Sequence, residues 1–232
     1  MTNKTIVIPP WSRDTVVRYD LDGRRRFREA HGLADRFVVM YSGNHSPCHP
    51  LGTLLESARR MTGYEQIVFC FVGGGSEVAT VERFADAHRL NNVKCLPYQP
   101  IGELSGSLSA ADLHVVVMGD PYVGIIHPCK IYNILRLGIP FLYVGPAESY
   151  ITDLIPSGLG DAPSEWARCA RHDDVDLVVS HILQAAAEGR GRSEAESQLA
   201  EQFSQRRLLT QLAEVVTARP AGQTSGHATT GR

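Results

Sequence analysis

Lys130 stands in the stretch whose residue types and spacing best suit chemistry. In GIIHPCKIYNILRLGIP (Gly124–Pro140), a glycine turn and an apolar pair lead through a His-Pro-Cys-Lys loop into an amphipathic helical segment closed by Gly138. A strand-like run, Phe141–Val144, follows at once. A loop entering a helix just before a buried strand leaves backbone N–H groups unpaired at the positive end of the helix dipole, which suits an anion. Lys130 adds a point charge at that mouth. An ordinary loop–helix–strand unit with a surface lysine fits the same local pattern.

Other candidates are weaker. Gly73-Gly74-Gly75 follows a strand, but Val78 stands where a GxGxxG dinucleotide fingerprint needs its last glycine, so a tight strand-to-helix turn is expected. His45, Cys48 and His49 form an HxxCH loop without further carboxylates or thiols nearby in sequence, and no metal is assigned to it. His45 suits donation to a phosphate or sugar, although an exposed loop histidine reads the same way. Cys129 has only His127 near it as a base, and reads as a structural thiol. Ser42 and Ser76 lack a nucleophile-elbow motif, and no paired carboxylates suggest glycoside hydrolysis. These residues together indicate a binding domain for an anionic, phosphorylated ligand, with no self-contained active site and no assigned catalytic residue.

Five apolar runs must position that site: Phe37–Tyr41, Gln66–Val72, Asn92–Leu96, Leu113–Met118 and Phe141–Val144. Helical patterns fall near Leu51–Met61, Glu77–Arg89, Ile101–Ser109 and Glu148–Leu154. Such alternation builds one parallel sheet with helices on both faces, an α/β fold whose ligands bind outside the carboxyl ends of the strands. The Gly43, Gly75, Tyr98 and Gly124 loops should then share one rim. Residues 1–35 read as a linker-like segment with a charged helix from Arg24 to His31. Residues 36–217 form the domain. It ends in a helical extension: a helix near Val175–Ala187, capped by Asp173 or Asp174, and a final one from about Glu194 to Val216. Residues 218–232 lack sizeable apolar side chains and read as a disordered tail.

Composition narrows the classes. A chain of 232 residues with net charge −2 can bury one sizeable core and is not designed around nucleic acid. Of its 23 basic residues only Lys4, Lys94 and Lys130 are lysines. The five cysteines are scattered, with no CxxC pair, as expected of reduced thiols in a cytoplasmic protein. No apolar run reaches spanning length, so at most a peripheral membrane association is expected.

VIPPW (Val7–Trp11), FREAHGL (Phe27–Leu33), VVMYSGNHS (Val38–Ser46), HPLGTLLESA (His49–Ala58), FVGGGSE (Phe71–Glu77), LPYQP (Leu96–Pro100), SAADLHVV (Ser109–Val116) and HPCKIYNILRLGIP (His127–Pro140) occur in one order and spacing. As a set they resemble the carboxyl-terminal half of a family-4-type glycosyltransferase of GT-B fold, from about Ile6 to Val216. The likeness is greatest to bacterial enzymes that build exopolysaccharide and other surface glycans. It implies a Rossmann-like domain that binds a nucleotide-sugar donor, a UDP- or GDP-sugar, with no further cofactor. By the same resemblance Gly43, Asn44 and His45 approach the diphosphate, Leu96, Tyr98 and Gln99 pack on the base, and N–H groups at Gly124, Ile125 and Ile126 hold the phosphates. Asn133 would then face the ribose.

The chain also departs from the family. Ile125 and Asn133 replace the two glutamates of the Glu-x7-Glu motif. The usual Arg and Lys of the first loop are absent, and Lys130 is expected to supply the charge. The half that binds acceptor is not in this sequence. The resemblance therefore implies a donor-binding domain that works with a separate acceptor-binding half, or self-associates, and is inactive alone. A non-catalytic nucleotide-sugar-binding relic or interaction module is the alternative, and an epimerase half of similar architecture is a third.

Overall fold

The computed structural model describes residues 5–12, 15–155, 166–189, 192 and 199–217. Among these residues six strands form one parallel sheet: β1 Phe37–Asn44, β2 Ile67–Gly74, β3 Val93–Leu96, β4 Leu113–Val117, β5 Phe141–Val144 and β6 Ala167–Ala170. Their order is β3-β2-β1-β4-β5-β6. Of the first five, β1, β2, β4 and β5 follow from apolar runs buried on both faces, and β3, the half-buried edge strand, from a shorter one. The sixth carries Arg168 at its centre and does not read as a strand from sequence. Arg168 is 1% exposed and meets Glu188 at 2.5 Å, so a partner from a distant helix makes this strand possible.

Among the described residues, the sheet is surrounded by α1 Leu21–Ala30, α2 Gly52–Arg60, α3 Val78–Ala87, α4 Leu104–Ser109, α5 Lys130–Leu137, α6 Tyr150–Leu154, α7 Val175–Glu188 and α8 Gln205–Thr217. Alternate strand residues point to opposite faces. Val39 and Tyr41 face α2, α3 and α7 through Leu54, Val81 and Val178. Val38 and Met40 face α1 and α4 through Phe27 and Leu108. Farther along, α5 and α6 pack Ile131, Leu135 and Ile151 on Val116 and Tyr143.

Several boundaries differ from expectation for local reasons. The helix expected over Ile101–Ser109 begins as a 3-10 turn at Ile101–Glu103. Asp174, whose side chain accepts from the Leu177 N–H, caps α7. The long final helix does not run unbroken from Glu194. Its stretch 193–198 lies outside the described residues, and the helix breaks before α8, where Ser204 Oγ accepts from Arg207 N. The tail 218–232 and the turn at Ser157–Gly160 also lie outside the described residues.

The segment before β1 packs into the domain. Val17, Phe27 and Leu33 are buried in the core. Arg28 Nη1 donates to both carboxylate oxygens of Asp112, at 3.2 and 3.0 Å, and Asp112 also accepts from the Val38 N–H at 2.7 Å. This cluster ties α1 to the amino-terminal edge of the sheet, opposite the strand ends where a ligand would bind.

Candidate functional site

The β1–β4 pairing runs only through Val39↔Leu113 and Met40↔His114. β1 then continues with β2 to Asn44↔Gly74. Here the connections change direction, and an open α/β sheet forms a crevice at such a point. A cavity of about 580 Å³ occupies it.

Lys130 is the first residue of α5, whose N-cap, Cys129, makes no side-chain capping bond. Its Nζ is buried, without a hydrogen-bond partner among the described residues. It lies 3.4 Å from the centroid of the Tyr41 ring. It also crowds Gly43, where an added Cβ would stand 3.3 Å from Nζ. Burial pushes the Lys130 pKa down to about 7. The expected point charge at the helix mouth is thus a desolvated ammonium over β1.

Backbone geometry brings the first two loops close enough to shape this site. Gly73 has φ +140°, and a Cβ there would fall 2.0 Å from the Gly43 carbonyl oxygen. Only glycine fits such an approach. The glycine run therefore continues β2 to Gly74, and the turn into α3 follows it.

Three histidines surround the ammonium electrostatically. His45 Nδ1–H donates to Gly43 O at 3.1 Å, His49 Nδ1–H to Val117 O at 2.8 Å, and His114 Nε2–H to Leu108 O at 3.0 Å. A carbonyl oxygen only accepts, so each bond fixes the tautomer. Burial lowers all three pKa values, and the Lys130 charge lowers them further; His114 falls to about 4. Tyr41 donates its hydroxyl to Asn44 O at 2.7 Å, and burial raises its pKa.

Of the residues singled out from sequence, Gly43, Asn44, Tyr98, Gln99, Lys130 and Asn133 line this cavity together. His45 and Leu96 line a neighbouring depression of about 390 Å³ beside Gly73–Gly75. His45 is not an exposed loop histidine: it is 2% exposed, with its ring edge-on to Tyr41. Gly124, Ile125 and Ile126 line neither space. The Ile125 and Ile126 N–H groups both donate to Tyr122 O, at 3.1 and 2.9 Å. Both bonds close their own turn, where the sequence suggested unpaired donors. Ile125 is 77% exposed.

Trp11, His114 and His127 also line the cavity, and sequence reasoning did not place them there. Trp11 closes the VIPPW motif, which was a usable signal. His114 sits inside an apolar strand and had none. Cys129 donates its thiol to His127 O at 3.4 Å, and burial raises its pKa, away from thiolate reactivity. No carboxylate lines the cavity among the described residues. The arrangement can hold an anion against Lys130 and a flat group against Tyr98.

The architecture is that of one half of the GT-B glycosyltransferases, a Rossmann-like domain with its crevice at the sheet's switch point. In sequence the chain is similar to the putative colanic acid biosynthesis glycosyl transferase WcaI of Escherichia coli K12, at 28% identity over 185 residues, 78% of this chain and 43% of that protein. Its fold matches Anabaena HepE in complex with UDP and glucose, with TM-score 0.75 at 17% identity over 93% of this chain and 57% of HepE. It also matches a sucrose-phosphate synthase of Thermosynechococcus elongatus, with TM-score 0.73 at 18% identity over 91% of this chain and 52% of the synthase. The chain thus spans about half the length of these relatives. No protein-family model matches it. Among the described residues no helix is long and apolar enough to cross a membrane.

Proposed function

We infer that this domain binds a nucleoside diphosphate sugar, a UDP- or GDP-sugar, across the crevice as the donor half of a glycosyltransferase. The observation that carries this reading is Lys130: a buried ammonium without a hydrogen-bond partner among the described residues, at the switch point of the sheet. A buried charge is costly until paired, and a diphosphate supplies the missing acceptors. The base stacks on the Tyr98 and Gln99 side, the diphosphate meets Lys130 beside Gly43 and Asn44, and Asn133 faces the ribose. UDP and glucose in the HepE complex support this class of ligand.

Transfer needs an acceptor-binding half from another chain or segment. Trp11, Tyr98 and Ile101 present exposed apolar surface at the crevice, and α8 exposes Leu209, Leu212 and Val216. These surfaces meet that half, in the cytoplasm, on a glycan or lipid-linked acceptor. The lack of a lining carboxylate among the described residues favours a second reading, a nucleotide-sugar-binding module without catalysis of its own.

Calorimetric titration with UDP, GDP and their sugar conjugates tests the binding site. Saturable binding lost in Lys130→Ala supports it, and no binding by the folded chain sinks it. Donor turnover on mixing with an acceptor-binding half separates the two readings.

A further inference from the structure

His127, Tyr132 and Tyr150 form a hydrogen-bonded chain at the β5 side of the crevice. Tyr132 donates its hydroxyl to Tyr150 Oη at 2.7 Å. His127 Nε2 lies 2.7 Å from the same Tyr132 oxygen. A phenol carries one proton. With that proton given to Tyr150, Tyr132 can only accept from His127, so Nε2 carries the ring proton and Nδ1 the lone pair.

Packing holds the imidazole in place. It stacks on Tyr132 at 5.5 Å with an interplanar angle of 10°, and meets Tyr150 at 4.0 Å. Tyr132 is wholly buried and packs on Phe203 at 5.0 Å. Among the described residues Nδ1 makes no hydrogen bond, and it is not sealed from solvent. His127 lines the crevice with Lys130 and Asn133. One open acceptor is therefore held on a rigid support at the cavity wall.

The sheet order says which part of a ligand meets it. Tyr98 follows β3, at one edge of the sheet. Lys130 lies over Tyr41 of β1, at the centre. His127 abuts Tyr150 of α6, which follows β5, toward the other edge. A ligand with a flat base, a charged middle and a hydroxylated end spans these three in that order.

We propose that His127 Nδ1 accepts a hydrogen bond from a hydroxyl of the ligand's glycosyl group, making His127 a specificity-determining residue for the sugar. Tyr132 and Tyr150 act as positioning residues that hold its tautomer. The proposal rests on the nucleotide-sugar reading of the crevice. Burial lowers the His127 pKa, which keeps the ring neutral and able to accept at pH 7.

The test compares the full chain with His127→Ala, His127→Asn and Tyr132→Phe by calorimetry. Ligands are UDP, GDP and a panel of their hexose conjugates, and the quantity read is the affinity of each conjugate relative to its parent diphosphate. His127→Ala should keep diphosphate affinity within about twofold and cut the sugar increment about 3- to 10-fold, the range of one neutral hydrogen bond. His127→Asn, which keeps an acceptor, should recover part of it, and Tyr132→Phe should lose part. Nitrogen-15 spectra of the unaltered protein should show a His127 protonated at Nε2 alone, a readout that does not depend on how the variants fold. An unchanged sugar increment in His127→Ala, no increment for any conjugate, or a ring protonated at Nδ1 overturns the proposal while leaving the diphosphate site standing. Failure of every diphosphate and conjugate to bind overturns the nucleotide-sugar reading and this proposal with it.

Discussion

The ammonium of Lys130 sits 3.4 Å from the centre of the Tyr41 ring, and that ring face is the one favourable partner the described residues give it. A desolvated cation–π contact contributes about 2 kcal/mol. Burying an ammonium costs several kcal/mol even after relaxation. The contact therefore steers the charge without compensating it, and the free domain carries a net cost that an anion would relieve.

Replacing Lys130 by Met should separate stability from binding. The apolar side chain fills the same space without the desolvation cost, so urea unfolding should show a more stable domain. Affinity for UDP should fall about 10- to 100-fold, as expected when a charged hydrogen-bond donor is lost. A variant that loses stability while keeping affinity would contradict the assignment.

Lys130 also sets a pH dependence. Its folded pKa of about 7 lies below the ordinary 10.5. Between those values the unfolded chain binds more protons than the folded one, so stability rises with pH through that window and the full cost stands below it. A bound diphosphate favours the charged form. Near pH 8, binding should therefore take up a proton, visible as a dependence of the calorimetric heat on buffer ionisation enthalpy. Lys130→Met should show neither effect.

His114 predicts a loss on the acid side. It is wholly buried, and its pKa falls from 6.5 to about 4. Below pH 6.5 the unfolded chain takes the proton first, so folded stability declines from about pH 6.5 to about pH 4, by up to roughly 3 kcal/mol for this residue. Unfolding midpoints measured across that range should flatten in His114→Gln, even if that variant is less stable overall.

Gly73→Ala should damage the first two loops together. The new Cβ would meet the Gly43 carbonyl, and φ +140° is strained for any side chain. A cost of about 2 kcal/mol or more is expected in urea unfolding, with weakened UDP binding because Gly43 neighbours Lys130. Full affinity in this variant would show that the Gly43 loop takes no part in the site.

Much of the fold was legible along the chain. The five apolar runs match β1 to β5, since strand-forming residues are written consecutively, whether buried on both faces or, in β3, half-buried at the edge. Gly138 ends α5 with φ +67°, as a glycine after an amphipathic run suggests. β6 was not legible, because Arg168 is tolerable there only with Glu188 beside it. In the site, Gly43 and Tyr98 could be nominated from loops that follow strands, Lys130 from its place at a helix start, and Asn44, Gln99 and Asn133 from the family resemblance. The bonds from the Ile125 and Ile126 N–H groups to Tyr122 O were not legible, because they exist only once the turn forms.

What the sequence alone determined is the succession of strands and helices and the rim that carries the loops, because periodicity and turn chemistry are local properties. Tertiary structure decided the electrostatic state of the site. The Tyr41 face beneath Lys130, the carbonyl bonds that orient His49 and His114, and the Tyr132–Tyr150 support of His127 join residues from separate elements. Burial and hydrogen bonding, which set charge and tautomer, exist only once those elements have packed.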